Sequence, residues 1–428
     1  MFKTLMLSRR FAPLFWCQFF AALNDNFVKN ALVILILYKI GGNNGATLVT
    51  LAGVTLIAPF FILSALGGEL ADHYDKALMA RRLKFAEIFV AAVASAGFIT
   101  HSIALLFVAL ALLGVMAALF GPVKYGMLPD QLETSELAAG NAFIEGATFI
   151  AILAGTIAGG YAAAEAGSPW LIAALIMTMA MLSWLSSRMI PLTRAGAPHL
   201  KITVNPLTST FAILGELKSQ PRLWSGGLIV SWFWLVGAVV LSLLPAVVKN
   251  RLGGSEGVVT LCLAVFTIGI ALGSGLAAKA SHARPNLSLV PLGAFAMALF
   301  SLDLAWVLHS MTPPATPISA QALLRTGNGL RILLDLFALA CAGGLFIVPS
   351  FAAVQSWADP TKRARVIASI NVLNAAFMTG AGVLVAVLQQ AGISLTALFA
   401  ALGVMTFAVG LLIRRSWRNE IAAGDLAT

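Results

Sequence analysis

Charge is what this chain has least of. Only 10% of its 428 residues are Asp, Glu, Lys or Arg, and just 17 are acidic. A soluble globular domain carries about 25%. A chain so poor in charge cannot clothe its surface for water, which excludes an ordinary soluble enzyme or binding module. Cysteine is scarce too. Cys17, Cys262 and Cys341 are scattered inside apolar segments, so they form neither a disulfide framework nor a metal site and read as small buried residues. The five histidines (73, 101, 199, 282 and 309) are far apart and suggest no catalytic set. Neither a G-x-x-x-x-G-K-[ST] phosphate loop nor an H-x-x-x-x-D acyltransferase string occurs. No enzyme activity and no cofactor are therefore expected, and any ATP-driven process would need a separate partner. Period-2 alternation of the kind that builds membrane barrels is also missing.

What the chain has is hydrocarbon. It is 60% hydrophobic with a mean hydropathy of +0.93. Runs of about 20 apolar residues cross the ~30 Å membrane core as helices. Twelve such segments are predicted: 11–39, 47–71, 83–101, 103–124, 138–163, 169–190, 223–248, 258–279, 286–309, 329–357, 364–389 and 393–414. The fourth starts after a turn placed at His101-Ser102. The basic, then apolar, N-terminus has no small-residue cleavage site before Asn24, so it reads as a first spanning helix.

The net charge of +10 is explained by topology rather than nucleic acid. With the N-terminus in the cytoplasm, 20 Lys and Arg fall in inside regions and 5 in outside regions. That bias places both termini in the cytoplasm. The long polar stretch 191–222 splits the segments six and six, and its part TSTFAILGELK reads as a short helix lying on the membrane surface. The expected organisation is a six-helix half over 1–190, a cytoplasmic linker over 191–222, a second half over 223–416 and a tail over 417–428. The halves look related: GGELADHYDK (67–76) and GSGLAAKASH (273–282) occupy equivalent places, as do FGPVKYGMLPDQL (120–132) and FIVPSFAAVQSWA (346–358). Two six-helix halves joined by a loop form the architecture of a rocking secondary transporter.

Polar residues inside the apolar runs are the candidate site. In QFFAALNDNFVKN (18–30), Asp25 and Lys29 sit where each costs about 2.5–3.5 kcal/mol unless partnered or wetted. Gln18, Asp25 and Lys29 share one helix face. Asp25 and Lys29 either pair with each other, fixing the helix's rotation, or line a pathway, and Lys29 is also placed to reach outward. Lys124, in GPVKYG, is either an anion site in a helix broken by Pro122 and loosened by Gly121 and Gly126, or an interfacial lysine. Glu145, on one face with Asn141, adds a carboxylate that Lys124 is able to neutralise. Asp335, one turn after Arg331, is expected to pair with it, whereas Asp303 has no obvious partner. The remaining glycines (155, 159, 160, 273, 275, 343 and 344) read as helix contacts.

The loop GGELADHYDKALMARR resembles the G-x-x-x-D-[RK]-x-G-[RK]-[RK] signature of the major facilitator superfamily, through Gly68, Asp72, Lys76 and Arg81. His73 and Asp75 depart from it. Gly68 permits close helix approach, and Asp72 is suited to cap a helix and pair with a cation of the other half. The alternative is an ordinary charged turn.

QFFAALNDN (18–26), APFFILSALGGELADHYDK (58–76), GPVKYGMLPDQL (121–132), GNAFIEGATFIAILAGTIAGG (140–160), IVPSFAAVQ (347–355) and ASINVLN (368–374) together resemble the bacterial lysophospholipid transporter family of that superfamily. The resemblance implies an all-α fold of twelve transmembrane helices. It also implies movement of lysophospholipids, chiefly lysophosphatidylethanolamine, from the outer to the inner leaflet of the bacterial inner membrane, where a separate cytoplasmic acyltransferase re-acylates them. By resemblance Asp25 and Asn26 match the family's D-N pair, Lys124 its lysine and Glu145 its glutamate. The family's arginine in the seventh helix is missing from FWLVGAVVLSLLP (233–245), which leaves the partner of Asp25 open among Lys29, Lys124 and other groups. Two readings compete with this one: an exporter of a drug or small metabolite using Asp25 or Glu145 as proton carrier, and a non-transporting membrane scaffold.

Overall fold

Backbone N–H and C=O groups in hydrocarbon have no water to bond, so an apolar chain must satisfy them within helices. The computed structural model describes residues 2–36, 45–164, 168–203, 205–281, 285–311 and 318–418. Lys39, Arg284 and residues 419–428 of the expected tail lie outside them. In chain order the helices are α1 (Phe2–Leu7), α2 (Ala12–Leu35), α3 (Gly45–His73), α4 (Lys76–Ile99), α5 (Ile103–Gln131), α6 (Leu137–Ala164), α7 (Pro169–Arg188), α8 (Pro206–Lys218), α9 (Pro221–Val247), α10 (Glu256–Ala280), α11 (Leu289–Ser310), α12 (Ala320–Leu324), α13 (Gly327–Trp357), α14 (Arg363–Gln390) and α15 (Leu395–Ser416). Twelve of these have 20 residues or more, and they coincide with the twelve apolar segments. Ten are long and apolar enough to cross a membrane on composition alone. The other two, α2 and α4, are as long, at 24 residues each, but carry the polar groups discussed below.

Helix ends follow local chemistry. Asp75 accepts the N–H of Leu78 at 2.9 Å and so starts α4 earlier than hydropathy suggests. The turn between α4 and α5 falls at His101, whose φ of 53° is left-handed, and Ser102 then accepts from the N–H of Leu105. Asn205 caps α8 through the N–H groups of Leu207 and Thr208. One boundary differs from expectation. The fourth segment does not break at Pro122: α5 runs on through Pro122 and Pro129 to Gln131. One missing N–H is tolerated where unwinding would strand several more.

Chain contacts define two compact units. Unit 1 comprises residues 1–133, 147–225 and 355–375, and unit 2 comprises 134–146, 226–354 and 376–428. In unit 1, α5 packs on α3 and α4, and α7 packs on α2 and α4. Phe27, Val28, Leu32, Phe98, Leu110 and Ile176 belong to its apolar core. In unit 2, α11 packs along α15. Most of the predicted contact glycines do face neighbouring backbone, as at Gly155 against Leu23 and Gly273 against Cys341; Gly275 faces open space. Cys17 and Cys262 are buried and Cys341 is half-buried.

Candidate functional site

Three helices of unit 1 supply a set of charged groups within otherwise apolar surroundings. From α2 come Asp25 and Lys29, with Asn26 between them. Asn26 donates to the carbonyl of Ala22 at 2.8 Å and accepts from Lys29 Nζ at 3.3 Å. Of the groups open to Lys29, its hydrogen-bond partner is therefore Asn26, while its charge also acts on Asp25. Asn30, one turn on, ties α2 to α6 by donating to Thr156 Oγ1 at 3.0 Å. From α4 come Lys84 and Glu87, an ion pair one turn apart with side chains 1% and 7% exposed. Lys84 also lies 3.9 Å from the ring centre of Phe120. From α5 comes the half-buried Lys124, its ammonium 4.3 Å from the ring centre of Tyr125. Asp25 feels the charges of Glu87, Lys84, Lys29 and Lys124 together. The helices thus bring one carboxylate into the field of three ammonium groups, with a second carboxylate among them. Such a set is able to receive a zwitterion: cations for an anionic group, a carboxylate for an amine.

Lys84 corrects the charge count. It is not a solvated cytoplasmic lysine but a buried partner of Glu87, and Lys76 is likewise buried, at 1%, against Asp130. Sequence reasoning misses Glu87 altogether. Its signal is a lone carboxylate in the apolar run FAEIFVAAVA, three residues after a lysine.

Gly121 does not break α5. A Cβ there would stand 2.6 Å from the side-chain nitrogen of Asn371, so this glycine lets α14 come close. Lys124 accordingly lies in a continuous helix, and the broken-helix site is not present. Glu145 and Asn141 belong to unit 2 and are fully buried there; Asn141 donates to the carbonyl of Leu137 at 2.9 Å.

The second cluster surrounds the end of α3, again in unit 1. Asp72 is fully buried. Its carboxylate accepts the N–H groups of Ala364 at 3.0 Å and Arg365 at 3.1 Å, and Arg365 Nε at 3.2 Å. A residue from one helix thereby caps another, α14, where four N–H groups start without partners. The contact depends on Gly68, because a Cβ there would stand 2.6 Å from that of Ala368. Lys76 Nζ binds Asp130 at 2.8 Å, and Arg363 binds the other Asp130 oxygen at 3.0 Å. Arg81 donates to the carbonyl of Ile190 at 2.6 Å. All four residues of the signature are thus engaged.

Nothing in the sequence points to the linker's share in this cluster. Glu69 accepts from Thr203 N–H and Ser209 Oγ, both at 2.6 Å, which fixes α8 to α3. Glu216 on α8 binds Lys362 at 2.6 Å and lies 3.6 Å from Arg365.

In unit 2, Asp303 does have a partner. Arg331 donates to both its oxygens, Nε at 2.9 Å, so the expected local pair of Arg331 with Asp335 gives way to a bidentate pair between helices. No group of metal-ligating side chains occurs among the described residues.

Helices of this number and order, with the signature aspartate buried after the second span, define a membrane transporter. The sequence matches the Major Facilitator Superfamily model over residues 14–330, and the chain belongs to that superfamily. It is a multi-pass transporter, not an enzyme. Among curated proteins it is similar to the lysophospholipid transporter LplT of Yersinia enterocolitica, 26% identical over 358 residues, covering 82% of this chain and 80% of that protein. Its counterpart in Yersinia pestis is 27% identical over 362 residues, covering 82% and 79%. Among solved structures the fold is similar to the human organic anion transporter MFSD10, with a TM-score of 0.70 at 15% identity, covering 94% and 99% of the two chains. It is also similar to a bacterial homologue of the iron transporter ferroportin, with a TM-score of 0.67 at 13% identity, covering 96% and 99%.

Proposed function

We propose that this protein is a lysophospholipid transporter of the bacterial inner membrane. It moves lysophosphatidylethanolamine from the outer to the inner leaflet, where a separate cytoplasmic acyltransferase re-acylates the product. The observation that carries this reading is that α2, α4 and α5 of one unit gather Asp25, Lys29, Lys124 and the Lys84–Glu87 pair inside a chain similar to curated lysophospholipid transporters.

A lysophospholipid headgroup bears a phosphate and an ammonium at fixed separation. In this reading Lys124 and Lys29 attract the phosphate, while Asp25 and Asn26 receive the amine. Lys84 and Glu87 neutralise each other behind them and hold the ammonium groups in place. Glu145 is a further candidate, by resemblance to the family's glutamate. The single acyl chain stays in lipid or between helices, so only the headgroup crosses on polar contacts. Transport proceeds by alternating access between the half 1–190 and the half 223–416, joined by the cytoplasmic linker 191–222, with both termini and the tail 417–428 in the cytoplasm. Gly68, Asp72, Lys76 and Arg81 act as the cytoplasmic gate: the Asp72 cap on α14 forms and releases in the cycle.

Uptake of radiolabelled lysophosphatidylethanolamine by spheroplasts tests this directly. Cells carrying the protein take up the lipid, and cells lacking it do not. Equal uptake in both would reject the lysolipid. Transport of an unrelated drug driven by a proton gradient would favour the exporter reading instead.

A further inference from the structure

Unit 2 holds a polar cluster that no step above uses. Asp303 lies on α11 two turns before its end, and Arg331 and Asp335 lie on the first turns of α13. Arg331 gives two N–H groups to Asp303. Asp335 sits behind that pair, only 2% exposed, within hydrogen-bonding reach of Asp303. Its Oδ2 is fully buried and takes no hydrogen bond from any described residue. Ile332, Leu333 and Leu336, on the same turns of α13, are buried and have apolar side chains.

Two ionised carboxylates are acceptors only and repel each other at this range. The guanidinium brings one positive charge to two carboxylates, and two of its N–H groups go to Asp303. One proton resolves the mismatch: a protonated Asp335 donates its O–H to Asp303, which satisfies the buried oxygen and makes the trio neutral. A hard metal cation would need about six oxygen ligands, and no group of three or more metal-ligating side chains stands together among the described residues.

Other charges are remote in sequence position. Among the described residues, the charged groups that act on Asp335 are Arg331 on α13 and Asp303 on α11. His309 lies in the last turn of α11, and Arg325 lies in the turn after α12. Of the helices beside these two, α15 carries Arg414 and Arg415 in its last turn. Helix α10, which meets α13 at Gly273, starts with Glu256 and has Lys279 in its last turn. Helix α9, which meets α13 near Gly343, is followed by Lys249 and Arg251.

We propose that Asp335, with Asp303 and Arg331, is a proton-binding site of the C-terminal half, loaded from water. Asp303 and Arg331, 32% and 47% exposed, form its route to the surface. Proton uptake turns a site of charge −1 into a neutral one: a hydronium ion gives its proton to the Asp335 carboxylate and leaves as water. The site does not depend on which cargo the protein carries.

The test is an infrared pH titration of the full-length protein in liposomes. The wild type shows a protonated-carboxyl C=O band that disappears on alkalinisation. Asp335→Asn loses that band. Arg331→Gln keeps both carboxyls but removes the competing cation, so its band titrates at higher pH by at least about one unit, a tenfold gain in proton affinity. The second variant decides the matter if Asp335→Asn fails to fold. The proposal is overturned by a band unchanged in Asp335→Asn, by an Arg331→Gln titration identical to wild type, or by loss of the band on adding sodium at constant pH.

Discussion

Asp72, in the last turn of α3, closes the first turn of α14: two backbone N–H groups and the Arg365 guanidinium all converge on its carboxylate. The superfamily's signature aspartate is therefore a helix cap first and an ion-pair partner second. These roles separate by mutation. Hydrogen bonds to a charged group contribute about 1.5–3 kcal/mol and a cap about 0.5–2 kcal/mol. Asp72→Ala removes everything, whereas Arg365→Ala leaves the backbone bonds intact. Thermal unfolding of the detergent-solubilised protein should show Asp72→Ala as the more damaging of the two by about 1 kcal/mol or more. Equal losses would mean that the guanidinium contact alone matters.

The close approach at Gly68 gives a contrast with Gly215, an exposed glycine of α8 with nothing near its missing Cβ. Gly215→Ala should raise stability by roughly 0.5–1 kcal/mol, the ordinary helix preference. Gly68→Ala gains the same preference but drives a methyl group into Ala368, and should lower both melting temperature and transport. The comparison is a melting curve of each variant; a stabilised, active Gly68→Ala would show that α3 and α14 need no contact there.

Lys84 and Glu87 test whether the buried pair is structural. Lys84→Ala leaves Glu87 buried without its partner, at a cost of about 3–5 kcal/mol. Replacing both, as Lys84→Met with Glu87→Gln, should recover most of that loss, since an apolar or neutral pair fills the same space without burying a charge. Melting temperatures of the single and double variants decide it. A double variant no better than Lys84→Ala would contradict the pairing.

Much of this fold is legible because hydrocarbon enforces it. Twelve apolar runs became twelve long helices, and the weakest boundary, at His101-Ser102, fell where a left-handed residue and a serine cap stand together. The errors share a cause: local pattern does not reveal what a neighbouring helix supplies. Pro122 reads as a break, but the lost hydrogen bond at a proline is tolerated in a membrane helix and the rest of the ladder continues. Lys76 and Lys84 read as loop charges because both stand near Arg81 and Arg82, yet each turns inward to a carboxylate. Arg331 is one turn from Asp335 in sequence, but Asp303, from another helix, offers it both oxygens. Asp25, Asn26, Lys29 and Lys124 are legible as anomalies of charge in oil; the Lys84–Glu87 pair that completes their surroundings requires the packing of α4 against α5.

The central claim is that Asp25 and Lys124 act as a charge-complementary headgroup site. Lysophosphatidylethanolamine uptake by spheroplasts carrying Asp25→Asn and Lys124→Gln, at matched protein levels in the membrane, tests it most directly. The account predicts that each variant loses at least about tenfold in initial rate, the equivalent of ~1.4 kcal/mol of headgroup stabilisation. Uptake at the wild-type rate in both variants would contradict it.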